Sequence, residues 1–190
     1  MTPLGWTHTG AALLALASGA AVLFTRKGTT RHRQFGWTYA ASMLGLNATA
    51  LFIYRLFGGV GPFHVFAVFS LVTVLLGVGA GMQVRRHRRA GRGVDRLRAL
   101  EHHYAWMTWS YVGLLAAAVS EIATRVPALR SGPGQGLAFG LTVAVATVAV
   151  VTAGARLIRQ RKAGLLAPYA PRSNKAPLGA PVTRHVATTD

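Results

Sequence analysis

Residues 62–89 read PFHVFAVFSLVTVLLGVGAGMQVRRHRR. From Pro62 to Val84 no Lys, Arg, Asp or Glu interrupts the run, and the block Arg85-Arg86-His87-Arg88-Arg89 then closes it. A helix crosses the hydrocarbon core of a bilayer with about 20 apolar residues. This stretch has that length, and its stop is a patch of charge. Outward from it, four more stretches are read in the same way: about Gly5–Phe24, Phe35–Phe57, His103–Thr124 and Gly136–Ile158. Gly58-Gly59 and Pro62 punctuate the chain before the 62–84 run, and Ser131-Gly132-Pro133-Gly134 precedes the last one. The expected fold is therefore all-α, a transmembrane helical bundle of five spans, with a four-helix core and a peripheral fifth.

Charge supports a membrane protein over a soluble nucleic-acid binder. The 190 residues carry 21 Lys and Arg against four acids, a net charge of +17, yet just over half of them are hydrophobic. The cations cluster in short blocks between apolar runs instead of spreading over a water-facing surface, so no nucleic-acid partner is expected. With five crossings, eighteen Lys and Arg fall on one side and only Arg55, Arg125 and Arg130 on the other. The positive-inside rule then puts the N-terminus outside and the C-terminus in the cytoplasm. The expected location is the cell (plasma) membrane, with the lipid bilayer as partner and anionic headgroups at the cytoplasmic face. The bundle is expected over 1–162, with its core over 5–126, and a disordered basic cytoplasmic tail over 163–190. The first span has its basic residues after it rather than before it, and is read as a retained helix instead of a signal peptide. No cysteine is present, which excludes disulfides and thiolate metal sites.

Polar residues inside a span are costly and mark candidate sites. Two layers emerge. The outer one holds His8, His64 and Glu121, which offer two imidazoles and a carboxylate to a divalent metal such as Zn, Fe or Cu. His8 with His64 is alternatively a clamp for a haem b. The inner one holds His32 and His103, candidate ligands for another haem b. His103, Met107, Ser110, Leu114 and Glu121 share one helix face, and Tyr39, Met43, Asn47, Ala50 and Tyr54 form a similar stripe. The plainer reading is an ion pair between Arg55 and Glu121, with interfacial histidines bonded to loops. Small residues at Ala11, Ala15 and Gly19, and at Gly77 and Gly81, read as helix-packing stripes.

The ordered strings His8-Thr9-Gly10, Lys27-Gly28-Thr29 with His32-Arg33 and Gly36, Gly61-Pro62-Phe63-His64, and His103 with Met107, Ser110-Tyr111, Glu121 and Arg125 carry a resemblance. Over residues 5–126 the chain resembles the bacterial "predicted membrane protein" group, a domain of unknown function with about four core helices. That resemblance implies a shared four-helix unit with the fifth span and tail as additions, and brings no activity. More distantly the chain is similar to small helical membrane proteins that handle haem or copper through histidines at helix ends. Three activities stay open: histidine-dependent metal or haem redox chemistry, a small transporter or channel using the Glu–Arg pair, and a scaffold subunit of a membrane complex.

Overall fold

The computed structural model describes residues 2–52, 62–123 and 135–169. It contains α1 (Pro3–Phe24), α2 (Thr30–Leu51), α3 (Pro62–Arg89), α4 (Gly93–Ala123) and α5 (Gln135–Leu166), closed by a 3-10 turn at Ala167–Tyr169. Local chemistry sets the visible ends. Thr2 caps α1 by accepting from the Gly5 amide at 3.3 Å, and Pro3 occupies the first helical position, where no amide is required. Gly91, at φ +68, lets the chain turn from α3 into α4 with Arg92 N–H bonded to the His87 carbonyl at 3.0 Å.

α1 packs on α2, α2 on α3, α3 on α4, and α4 returns to α1, while α5 lies against α4. The ring encloses a core of Ala15, Tyr39, Ala40, Met43, Leu46, Val74 and Leu114, with Met107 and Tyr111 against it. Cross-helix contacts fix which ends lie together. His8 early in α1 meets Thr49 late in α2, Asn47 late in α2 meets Ser70 early in α3, and His103 early in α4 meets Gly77 late in α3. Tyr104 early in α4 meets Ile158 late in α5. Thus the last turns of α1, α3 and α5 and the first turns of α2 and α4 share one end.

The expectation of five membrane spans is not met. Among the described residues, three helical segments are long and apolar enough to cross a membrane: Pro3–Phe24, His64–Arg89 and Gly140–Leu166. α2 and α4 are long enough but too polar. α2 opens with Thr30, Arg31, His32, Arg33 and Gln34 and carries Thr38, Ser42, Asn47 and Thr49 further on. α4 opens with Asp95, Arg96, Arg98, Glu101, His102 and His103, and its middle is rich in Tyr, Trp, Ser and Thr. The Tyr and Trp rings of these two helices carry polar atoms, which lowers their hydropathy further. The expected placement of the N-terminus outside and the C-terminus in the cytoplasm rested on charge counted over five crossings, and a count of apolar helices does not test it.

Two boundaries also move. α4 begins ten residues before the expected His103, and α5 continues past Ile158 to Leu166, so the chain from 163 to 166 is helix rather than tail. Tyr54, Arg55, Arg125, Arg130 and the rest of the tail from 170 lie outside the described residues.

Candidate functional site

The turn between α1 and α2 builds one side of the site. Lys27 donates to the Val22 and Leu23 carbonyls at 2.7 and 3.1 Å, covering acceptors that the end of α1 leaves open. Gly28 takes φ +80, a conformation that a side chain would strain. Thr29 caps α2, accepting from the His32 amide at 3.2 Å while its hydroxyl donates to the Arg26 carbonyl at 2.8 Å. His32 therefore stands three residues past the cap, near enough to the end of α1 for the Val22 backbone to bear on its charge. Every position of the Lys-Gly-Thr-x-x-His string has a task in this turn.

The α3–α4 pair builds the other side. His103 Nδ1 lies 2.8 Å from the Gly77 carbonyl oxygen. A carbonyl can only accept, so Nδ1 carries the proton and, in the neutral ring, Nε2 holds the lone pair. Two glycines make this approach possible. A Cβ on Gly81 would sit 2.9 Å from His103 Nδ1, and one on Gly77 would sit 2.5 Å from Met107 Sδ. The stripe of small residues on α3 is thus a notch for His103 and for Met107 one turn on.

These two sides meet. His32 and His103 lie close enough to influence each other's charge, and Lys27 acts on both. Burial, then the Lys27 ammonium, then His103 push the His32 imidazole down to about 4, against the weaker pull of the Val22 backbone. Burial also lowers Lys27, and His103 is held below the ordinary range first by burial. Both rings are therefore neutral near pH 7. The Nδ1 atom of His32 is buried with no hydrogen-bond partner.

The middle and far end of the bundle hold a second set of polar contacts. Tyr39 and Ser110 share a hydrogen bond of 2.8 Å across the core, and the Tyr39 and Tyr111 rings lie 6.1 Å apart. Asn47 Nδ2 donates to the Met43 carbonyl at 2.8 Å and to Ser70 Oγ at 3.2 Å. His8 Nδ1 is 3.0 Å from Thr49 Oγ1, and Ser120 is 3.3 Å from Thr147. His64 is buried at the start of α3 and Glu121 half-buried at the end of α4.

Of the residues singled out in the sequence, His32 and His103 are near enough for the charge of one to bear on the other. Among the described residues no group of three or more His, Asp and Glu is placed to hold a metal ion, the outer trio of His8, His64 and Glu121 included. The Arg55–Glu121 pair lies outside the described residues because Arg55 does. Sequence reasoning passed over Lys27 as a member of the site, counting it only as loop charge. Its place inside the Lys-Gly-Thr string, two residues before a helix-capping threonine, was the available signal.

A family model described as "Predicted membrane protein (DUF2306)" matches residues 5–158. The match extends beyond residue 126, through most of α5, so the fifth helix belongs to the matched unit and is not an addition to it. No curated protein and no solved structure matches the chain.

Proposed function

The chain belongs to that family of predicted membrane proteins, and from this premise we propose that His32 and His103 are paired ligands for the iron of a b-type haem in a redox protein. The protein is a multi-pass integral protein of the cell membrane. The observation that carries the proposal is the disposition of ring nitrogens. His103 Nδ1 donates to the Gly77 carbonyl of the neighbouring helix, and the Val22 backbone bears on the charge of His32. His32 keeps a buried nitrogen without a partner, and the proton on His103 Nδ1 leaves Nε2 as the basic atom. Metal-ligating histidines are held in this way, one nitrogen fixed by a backbone carbonyl and the other offered to the metal.

The number of ligands favours haem over a bare Zn, Fe or Cu ion. A dication in protein wants three or four side-chain ligands, whereas haem iron takes four nitrogens from its own ring and needs only axial partners. Two imidazoles suffice for the second case. A dication beside the Lys27 ammonium would be repelled, while an anionic group such as a carboxylate would be attracted. The bound group would supply one-electron transfer; the chain supplies neutral imidazoles, a fixed tautomer at His103 and a cation beside them.

The test is an absorption spectrum with iron analysis on the purified full-length protein and on the variants His32→Ala and His103→Ala. A Soret band in the wild type that shifts or vanishes in both variants is expected. A colourless, iron-free protein from haem-replete cells would overturn the proposal.

A further inference from the structure

Packing, and not a count of crossings, gathers the positive charge. The three segments apolar enough to span a membrane, in α1, α3 and α5, all finish at the end of the bundle where α2 and α4 begin. Among the described residues, that end holds four cations between residues 26 and 33, seven between 85 and 98, and four between 156 and 162, against Asp95 and Glu101. Most of these side chains are exposed, including Arg85, Arg86, Arg88, Arg89 and Arg92 around the α3–α4 turn. Exposed apolar residues stand among them: Phe24 is 88% exposed, Val94 67% and Trp37 56%.

We infer that this end is a docking collar for anionic phospholipid, with the arginines of the α3–α4 turn binding headgroup phosphate. Three features favour a lipid over any soluble polyanion. The cations begin where the apolar run of a span stops, as Val84 gives way to Arg85, which is the depth at which phosphates lie. Apolar side chains mixed with the cations suit acyl chains just below those phosphates, whereas a soluble nucleic acid or phosphate would leave them in water. Arginine also pairs with phosphate through two parallel N–H donors, a geometry that lysine lacks, and every cation of the α3–α4 cluster is arginine.

The inference does not depend on haem. It is tested on full-length protein in nanodiscs of phosphatidylcholine mixed with phosphatidylglycerol, by measuring the lipid that remains bound after mild detergent extraction. Enrichment of phosphatidylglycerol over its share of the bulk is expected, falling as salt is raised. Each surface cation is worth roughly a fivefold change in partition, so replacing Arg85, Arg86, Arg88 and Arg89 by Gln should reduce the enrichment at least about tenfold. Retention of the two lipids in bulk proportion by the wild type would overturn the inference, and so would undiminished enrichment in the quadruple variant. If that variant does not fold, the wild-type salt series decides: enrichment indifferent to salt overturns the inference. Displacement of phosphatidylglycerol by inorganic phosphate alone would mark a phosphate site without lipid selectivity, and would overturn the choice of lipid as occupant.

Discussion

The two ends of the bundle both use histidine, but they anchor it differently. At the His103 end the imidazole bonds a main-chain carbonyl of the neighbouring helix, at Gly77. At the His8 end the ring meets a side-chain hydroxyl, Thr49. A carbonyl has no proton to give, so it fixes the tautomer of its imidazole. A hydroxyl both donates and accepts, and leaves the choice to its surroundings. Thr49 Oγ1 lies 2.9 Å from the carbonyls of both Gly45 and Leu46, so here its proton goes to the backbone and His8 donates. One end is rigid and specified by main chain; the other is set by exchangeable side chains.

The sharpest way to break that contrast is steric. Gly81→Val should force His103 off Gly77 and cost about 1–3 kcal/mol of stability. Gly10→Ala near the other end, with nothing within 4 Å of the new Cβ, should be neutral or slightly stabilising. Thermal midpoints of the two variants in mild detergent check this, and equal midpoints would remove the distinction. Next in size, His103→Ala should destabilise by about 1–2 kcal/mol through its lost bond and contacts, and His8→Ala by less. A chemical-denaturation comparison of that pair orders the two ends directly.

Acid offers a third and smaller test. The folded His32 value of about 4 lies below the ordinary 6.5, so between those two pH values the unfolded chain binds more protons than the folded one. Stability should therefore fall as pH drops from about 6.5 toward 4. His32→Gln should flatten part of that slope; a slope unchanged by the substitution would place the acid sensitivity elsewhere. Smallest of all, Thr49→Val should cost under about 1 kcal/mol, readable as a slight shift of the melting midpoint, because the His8 ring is only half-buried.

Helix existence was legible wherever a long apolar run met a charged stop, as at Val84–Arg85. Membrane crossing was not legible in the same way. Tyr39, Asn47 and Ser110 lie inside the bundle with their polar atoms bonded to one another or to the backbone. A helix that meets its neighbours with polar atoms can be interior without being apolar, and hydropathy alone does not separate the two. At the site, His32 and His103 were readable from their places at helix starts. Lys27 was not, because its part depends on carbonyls in the preceding helix, five and four residues back. The roles of Gly77 and Gly81 were half readable: small residues mark a close approach, but not which side chain will occupy the notch.

The helices also differ in reach. At a rise of about 1.5 Å per residue, α1 is roughly 33 Å long, α3 roughly 42 Å and α5 roughly 48 Å. The hydrocarbon layer is only about 30 Å thick. α1 matches it closely, whereas α3 and α5 outrun it by about two-fifths and three-fifths of that thickness. Because α1, α3 and α5 finish at one end, whatever α3 and α5 extend beyond α1 there stands in the headgroup zone as stiff stalks. Bilayer thickness then becomes a setting that the protein can feel. In a thicker membrane the stalks would be drawn deeper among the headgroups, and in a thinner one their far arginines would be lifted clear.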